Sequence, residues 1–207
     1  MKYMKIKRYL DILLSSISLV VLSPVFLALI LGIKFDSKGP VLFKQKRIGI
    51  KKSYFYILKF RTMKIDTPKN TPTHLLEDPE LYITRIGKIL RKTSLDELPQ
   101  IWNIFIGEMS FIGPRPALWN QYDLIAERDI YRVNDIRPGL TGWAQINGRD
   151  EISIKAKAKL DGEYVKKISF KMDLKCFLGT IVNVVKSKGV VEGRTDTTEN
   201  EFALTKE

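Results

Sequence analysis

Cysteine and histidine each occur only once among the 207 residues. Cys176 cannot close an internal disulfide by itself, which fits a reducing compartment. With His74 as the lone histidine, a zinc site lacks its usual ligands. A Ser-His-Asp triad would depend on His74, and no nucleophile-elbow motif supports one. Acids are also scarce beside bases: 23 Asp and Glu against 35 Lys and Arg, a net charge of +12. Such an excess favours an anionic partner, whether nucleic acid, anionic lipid headgroups or a phosphorylated substrate. No standard nucleic-acid motif is present, so a nucleic-acid-binding reading rests on charge alone.

Charge is wholly missing from Ile12 to Ile33, a run of 22 residues. A straight helix of that length measures about 33 Å, enough to cross a bilayer core. No small-x-small cleavage site follows the run, which argues against a signal peptide. Lys2, Lys5, Lys7 and Arg8 precede it, and Lys34, Lys38, Lys44, Lys46 and Arg47 follow it. Basic flanks tend to stay cytoplasmic, and here both flanks are basic. A re-entrant helix broken at Ser23-Pro24 satisfies both; a kinked span is the alternative. Proline removes a backbone donor, and Ser23 can hydrogen-bond a freed carbonyl.

Beyond the anchor, the patterns predict strands over Val41–Ile48 and Tyr54–Met63, joined by Gly49–Ser53 as a basic hairpin. Asp66–Asp78 reads as a loop. Helices are expected over Tyr82–Lys92, Leu118–Arg132 and Ser153–Lys167, the last with few apolar residues and suited to a membrane surface. From Phe170 to Val185 apolar residues recur at helical spacing, which fits a core-facing or an interfacial helix. Trp143 suits packing, base stacking or the interface. Residues 190–207 carry a net charge of −3, leaving +15 on the rest, and read as a mobile tail.

Chemistry concentrates in Thr93–Phe105, TSLDELPQIWNIF. Pro99 belongs in a first helical turn, so the helix is expected to start near Ser94–Asp96, with Ser94 and Glu97 fitting a capping box. Acids at helix starts are common stabilisers. Here Arg85, Lys88, Arg91 and Lys92 stand just before the pair, so the helix end can also bind phosphate. Adjacent carboxylates there can hold Mg²⁺, and one can attack phosphorus. A depressed pKa is expected to keep Asp96 ionised. Two Pro/Gly-bearing segments, Ile112–Pro116 and Arg137–Arg149, suit a backbone-shaped anion site, with Arg115, Arg137 and Arg149 in reach of phosphate.

These stretches resemble the small monotopic phosphoglycosyl transferases, also called bacterial sugar transferases or undecaprenyl-phosphate sugar phosphotransferases. The resemblance runs from about Lys7 to Gly189. It rests on KRYLD (Lys7–Asp11), SP (Ser23-Pro24), GP (Gly39-Pro40), FKQKRIG (Phe43–Gly49), KFRTM (Lys59–Met63), RKTSLDELPQIWN (Arg91–Asn103), GEMSFIGPRP (Gly107–Pro116) and RPGLTGWAQINGR (Arg137–Arg149). It implies an α/β, mainly helical fold with a re-entrant anchor over 1–36, a catalytic part over 37–189 and interfacial helices around a cytoplasmic site. The chain is read as the minimal single-domain form.

The resemblance further implies that Asp96 attacks the sugar-bearing phosphate of a UDP-sugar, releases UMP and passes the phosphosugar to polyprenyl phosphate. Glu97, with Asp96, would hold Mg²⁺. Arg91 and Arg115 would bind phosphates, with Lys59, Arg61, Arg137 and Arg149 as further candidates. Lys7, Arg8 and Asp11 would set where the anchor enters the bilayer. An N-acetylated sugar is favoured by KIDTP (Lys64–Pro68) and GPRPALWNQYDLI (Gly113–Ile125). The expected setting is the cytoplasmic face of a bacterial inner membrane, in capsule, O-antigen or glycoprotein glycan assembly. Candidate partners are an anionic membrane surface, a second copy and downstream glycosyltransferases, with nucleic acid not expected. The competing reading is a non-enzymatic membrane-surface scaffold.

Overall fold

A computed structural model describes residues 2–67, 79–148 and 152–185. His74, Arg149 and the tail lie outside the described residues, as does most of the expected Asp66–Asp78 loop. The described part is mainly helical, with one small antiparallel hairpin.

Two helices, α1 (Lys2–Val21) and α2 (Ser23–Asp36), meet at a 60° bend. The break falls at the predicted dipeptide. Pro24 occupies the first turn of α2, where a missing N–H leaves nothing unpaired. The Ser23 hydroxyl donates to the Val20 carbonyl at 2.7 Å. Among the described residues no single helix is long and apolar enough to cross a membrane; only the bent pair passes together. Its outer face is apolar and exposed, with Leu13, Ile17, Val20, Val21, Leu27 and Phe35 uncovered.

The base of α1 is fastened to the body. Lys7 pairs with Asp173. Arg8 donates to the carbonyls of Ile104 and Phe105 at 2.6 and 2.8 Å. Asp11 accepts from the Phe111 N–H at 3.1 Å. Asp173 also accepts from Tyr3 and Tyr164, so three donors satisfy one buried carboxylate. On the other arm, Ile33 of α2 packs with Phe60 and Leu90.

Strands β1 (Leu42–Ile48) and β2 (Tyr54–Phe60) pair as predicted, in register Leu42 with Phe60 and Ile48 with Tyr54. The second strand stops before its expected end, and Arg61 just beyond it is buried. Helices α3 (Pro79–Tyr82) and α4 (Arg85–Thr93) replace the helix expected over Tyr82–Lys92. Thr84 sets the boundary: its hydroxyl accepts from the Gly87 N–H at 2.9 Å, the usual N-cap bond. After α5 (Gln100–Ile106), short β3 (Ser110–Ile112) runs parallel to β4 (Gly139–Thr141). Between them α6 (Tyr122–Ile130) is shorter than its prediction.

Helix α7 (Trp143–Ile146) is one turn, and Trp143 packs beside the core rather than stacking openly. Helix α8 (Ile154–Lys166) needs few apolar residues because Ala158 and Gly162 allow close approach, and it buries Tyr164 and Asp161. It is therefore a core helix on one side. In α9 (Phe170–Val185) the buried side is Met172, Asp173 and Cys176. The predicted apolar stripe, Phe170, Leu174, Phe177, Leu178, Ile181 and Val182, faces outward, against the core-facing reading and in keeping with the other. Cys176 is a fully buried small side chain, as read from the sequence.

Candidate active site

The acid pair sits on a single 3-10 turn, Leu95–Glu97, wedged between α4 and α5. This corrects the predicted helix start. Ser94 ends α4 in the left-handed region, with φ 56°, and α5 begins only at Gln100 with Pro99 as its cap. The expected capping box does not form, because Ser94 makes no side-chain cap bond. The Ser94 carbonyl instead accepts from the Glu97 N–H at 3.2 Å, closing the turn. Asp96 and Glu97 thus owe their setting to neighbouring side chains rather than to a helix dipole.

Those neighbours come from three elements. Lys59 at the end of β2 donates to Glu97 Oε1 at 2.7 Å, and its Nζ lies 3.8 Å from Asp96 Oδ2. Arg115, just after β3, donates to the same Glu97 oxygen at 3.0 Å. Arg91 on α4 contributes to the field at Asp96 while its Nε donates to Thr62. Asn103 locks the hairpin to α5: its side-chain oxygen accepts from Leu58 N–H, and its amide donates to the Tyr56 carbonyl and to Glu108. Nothing in the sequence assigned Asn103 that part, although it lies inside the quoted motif.

Burial acts upward on both carboxyls, and the strength of the cations against it divides them. It pushes Asp96 above the ordinary range, aided by the charge of Glu97, while Lys59, Arg91 and Arg115 oppose it. The expected depression of Asp96 is therefore wrong: the desolvation of a side chain only 13% exposed outweighs the surrounding cations. For Glu97 burial also acts upward, but Arg115 and Lys59 overcome it and hold the carboxyl far below its usual range. Glu97 is thus a fixed anion, whereas Asp96 is a buried, more basic one.

The structure brings Lys59, Arg91 and Arg115 to the pair but uses two other candidates elsewhere. Arg61 is buried and donates to the carbonyls of Ser37 and Lys38, pinning the end of α2. Arg137 donates to the Gly107 carbonyl at 2.9 Å, near Arg8. A compact backbone can claim an arginine through its carbonyls, which charge counting does not foresee. The two Pro/Gly segments do meet, but on each other. Gly113 N–H donates to Thr141 and Gly139 N–H to Pro114, both at 2.8 Å. A side chain on Gly139 or Gly142 would collide with the Gly113 backbone.

Among the described residues no group of three or more His, Cys, Asp or Glu could hold a metal. Two adjacent carboxylates nevertheless suit Mg²⁺, which often takes one or two of them plus substrate phosphates and water. Since Glu97 Oε1 is already bonded to both cations, a metal would use its other oxygen together with Asp96.

A polar cleft has Arg115 in its wall. Its walls include Arg47, Gln121, Arg128, Gln145, Lys157 and Asp161. Arg128 and Asp161 form a buried pair there, at 2.6 and 3.0 Å, and Arg128 also donates to the Arg115 carbonyl. The sequence offered no sign of this pair, since its members lie 33 residues apart on two helices.

The bacterial sugar transferase family matches this sequence over residues 2–187. The chain belongs to that family. It is 38% identical to the uncharacterized sugar transferase EpsL of Bacillus subtilis (strain 168), over 95% of each chain. The UDP-glucose:undecaprenyl-phosphate glucose-1-phosphate transferase of Xanthomonas campestris pv. campestris is also 38% identical, over 86% of this chain and 38% of that one. A UDP-N-acetylgalactosamine-undecaprenyl-phosphate N-acetylgalactosaminephosphotransferase of Aeromonas hydrophila is 36% identical, over 90% of this chain and 45% of that one. This sequence thus spans less than half of those two relatives and nearly all of the Bacillus one. The family resemblance and the enzyme class expected from the motifs are borne out.

Proposed function

We propose that the chain transfers a sugar-1-phosphate from a UDP-sugar to polyprenyl phosphate through a phosphosugar on Asp96. The names of the Xanthomonas and Aeromonas relatives support the donor, the acceptor and the group transferred. The observation that carries the mechanism is the contrast between the two acids. Glu97 Oε1 is bonded by both Lys59 and Arg115, at 2.7 and 3.0 Å, whereas Lys59 Nζ stands 3.8 Å from Asp96 Oδ2.

In the first step an Asp96 oxygen attacks the sugar-bearing phosphorus. The bond from that phosphorus to the bridging oxygen breaks, and UMP departs with the electron pair. A carboxylate made more basic by burial is the better nucleophile once ionised. Lys59, Arg91 and Arg115 would stabilise charge on the phosphoryl oxygens. In the second step a polyprenyl phosphate oxygen attacks the same phosphorus and Asp96 leaves as carboxylate. The product is a polyprenyl diphosphosugar. Mg²⁺ held by Asp96 and Glu97 would neutralise phosphate charge when bound.

The two relatives named above differ in sugar, glucose in one and N-acetylgalactosamine in the other. The N-acetylated assignment rests on the stretches at Lys64–Pro68 and Gly113–Ile125. The 60° bend and the two basic flanks support a re-entrant anchor, with the site at the cytoplasmic face of the membrane. Single cysteines placed at Lys5 and Lys38 and probed with an impermeant reagent test this, since Cys176 is buried. Labelling from opposite sides rules out re-entry.

The decisive experiment is Asp96→Asn in lipid nanodiscs with UDP-sugars, undecaprenyl phosphate and Mg²⁺. UMP release should vanish while membrane association persists. Undiminished UMP release by that variant overturns the covalent scheme.

A further inference from the structure

The polar cleft beyond Arg115 is not used by the acid pair, yet it shares Arg115 with it. Among the described residues four cations line it, Arg47, Arg115, Arg128 and Lys157, together with Asp161; Arg128 is paired with Asp161, and Arg115 with Glu97. Gln145 lines it too. Its amide donates to the Leu140 carbonyl at 3.1 Å, while its buried Oε1 has no hydrogen-bond partner among the described residues. A buried acceptor left unmade is costly, and its natural complement is a donor supplied by a ligand. The cleft therefore offers a basic wall with a residue that carries an unmade acceptor among its lining.

We infer that this cleft receives the departing nucleotide, with its phosphate on the Arg115 side and an N–H of its base donated to Gln145. The inference rests on the proposed transfer from a UDP-sugar. Two parts of that donor compete for the cleft. A neutral sugar makes little use of four cations. The leaving uridine monophosphate gains negative charge as its bond to the sugar phosphate breaks, and that charge needs cations beside Arg115. Uracil carries one ring N–H flanked by two carbonyls, so a single acceptor with cationic neighbours complements its edge. Arg115 then holds Glu97 on one side and the departing phosphate on the other. Arg128 supports it by donating to its carbonyl from the buried pair with Asp161.

The test measures binding of UMP, 3-methyl-UMP and the sugar-1-phosphate alone to the full chain in nanodiscs by titration calorimetry. The methyl group removes the donated hydrogen. Wild type should bind UMP about tenfold more tightly than 3-methyl-UMP, the size of one buried hydrogen bond. Gln145→Leu should lose most of that preference and leave sugar-1-phosphate binding unchanged. If wild type binds the two nucleotides equally, or if Gln145→Leu weakens the sugar phosphate instead, the assignment is overturned. The wild-type comparison stands even where the variant fails to fold. UMP release, followed separately, reports on the transfer reaction, so failure of that reaction is distinguishable from failure of this subsite.

Discussion

Arg128→Met should destabilise the protein more than any other single change near the site. Arg128 and Asp161 are 4% and 1% exposed at their side chains, and the guanidinium gives Asp161 two hydrogen bonds. Removing one partner of such a pair strands a buried charge, a loss of about 3–5 kcal/mol. In a domain of this size about 2–4 °C of melting temperature follows each kcal/mol, so the fall should be about 6–20 °C. Arg128→Met with Asp161→Leu removes both charges and should recover at least half of the loss. The remainder reflects the bond to the Arg115 carbonyl. Burial already pushes Asp161 upward despite Arg128. A carboxyl whose folded pKa lies above its unfolded value costs stability above that pKa and regains it on protonation. The deficit of the single variant should therefore shrink as pH falls. Melting of the detergent-solubilised protein by intrinsic fluorescence measures all three. A single variant within about 2 °C of wild type, or a double variant below the single, refutes the reasoning.

Three further outcomes follow from the site and its supports. Because burial raises Asp96, the acid limb of the UMP-release profile should begin above the ordinary aspartate pKa of about 3.9. Lys59→Met removes a cation that lowers it, so that limb should move to higher pH; an unmoved limb separates Lys59 from Asp96. Glu97→Gln, which loses two charge-assisted bonds, should slow UMP release by about tenfold or more, and unchanged steady-state kinetics would make Glu97 a bystander. Lys7→Met strands Asp173 beside two tyrosines and should cost about 3–5 kcal/mol, read as a melting shift and as looser protease protection of the N-terminal arm.

Local features were legible where chemistry is local. Ser23-Pro24 marked the break because proline acts on its own turn. The hairpin was readable from alternating apolar residues and a glycine turn. The acid pair stood out by composition, and the motifs around it drew attention to Lys59, Arg91 and Arg115. What failed depended on distant partners. The direction of the Asp96 shift reflects how deeply three elements bury it. Arg61 and Arg137 satisfy backbone carbonyls 23 and 30 residues away, where charge alone suggested phosphate. For α9 the spacing left two orientations open, and the choice between them turned on Asp173, whose donors sit on α1 and α8.

The seam at Gly113, Gly139 and Gly142 carries a consequence for redesign. Main chain lies directly on main chain there, with no side chains between to yield. The arm bearing Arg115 and the arm bearing Gln145 are thus fastened to each other through backbone hydrogen bonds. Exchanging this cleft between relatives should preserve folding and nucleotide binding when both arms are grafted as a unit, and fail through misalignment when either is transplanted singly.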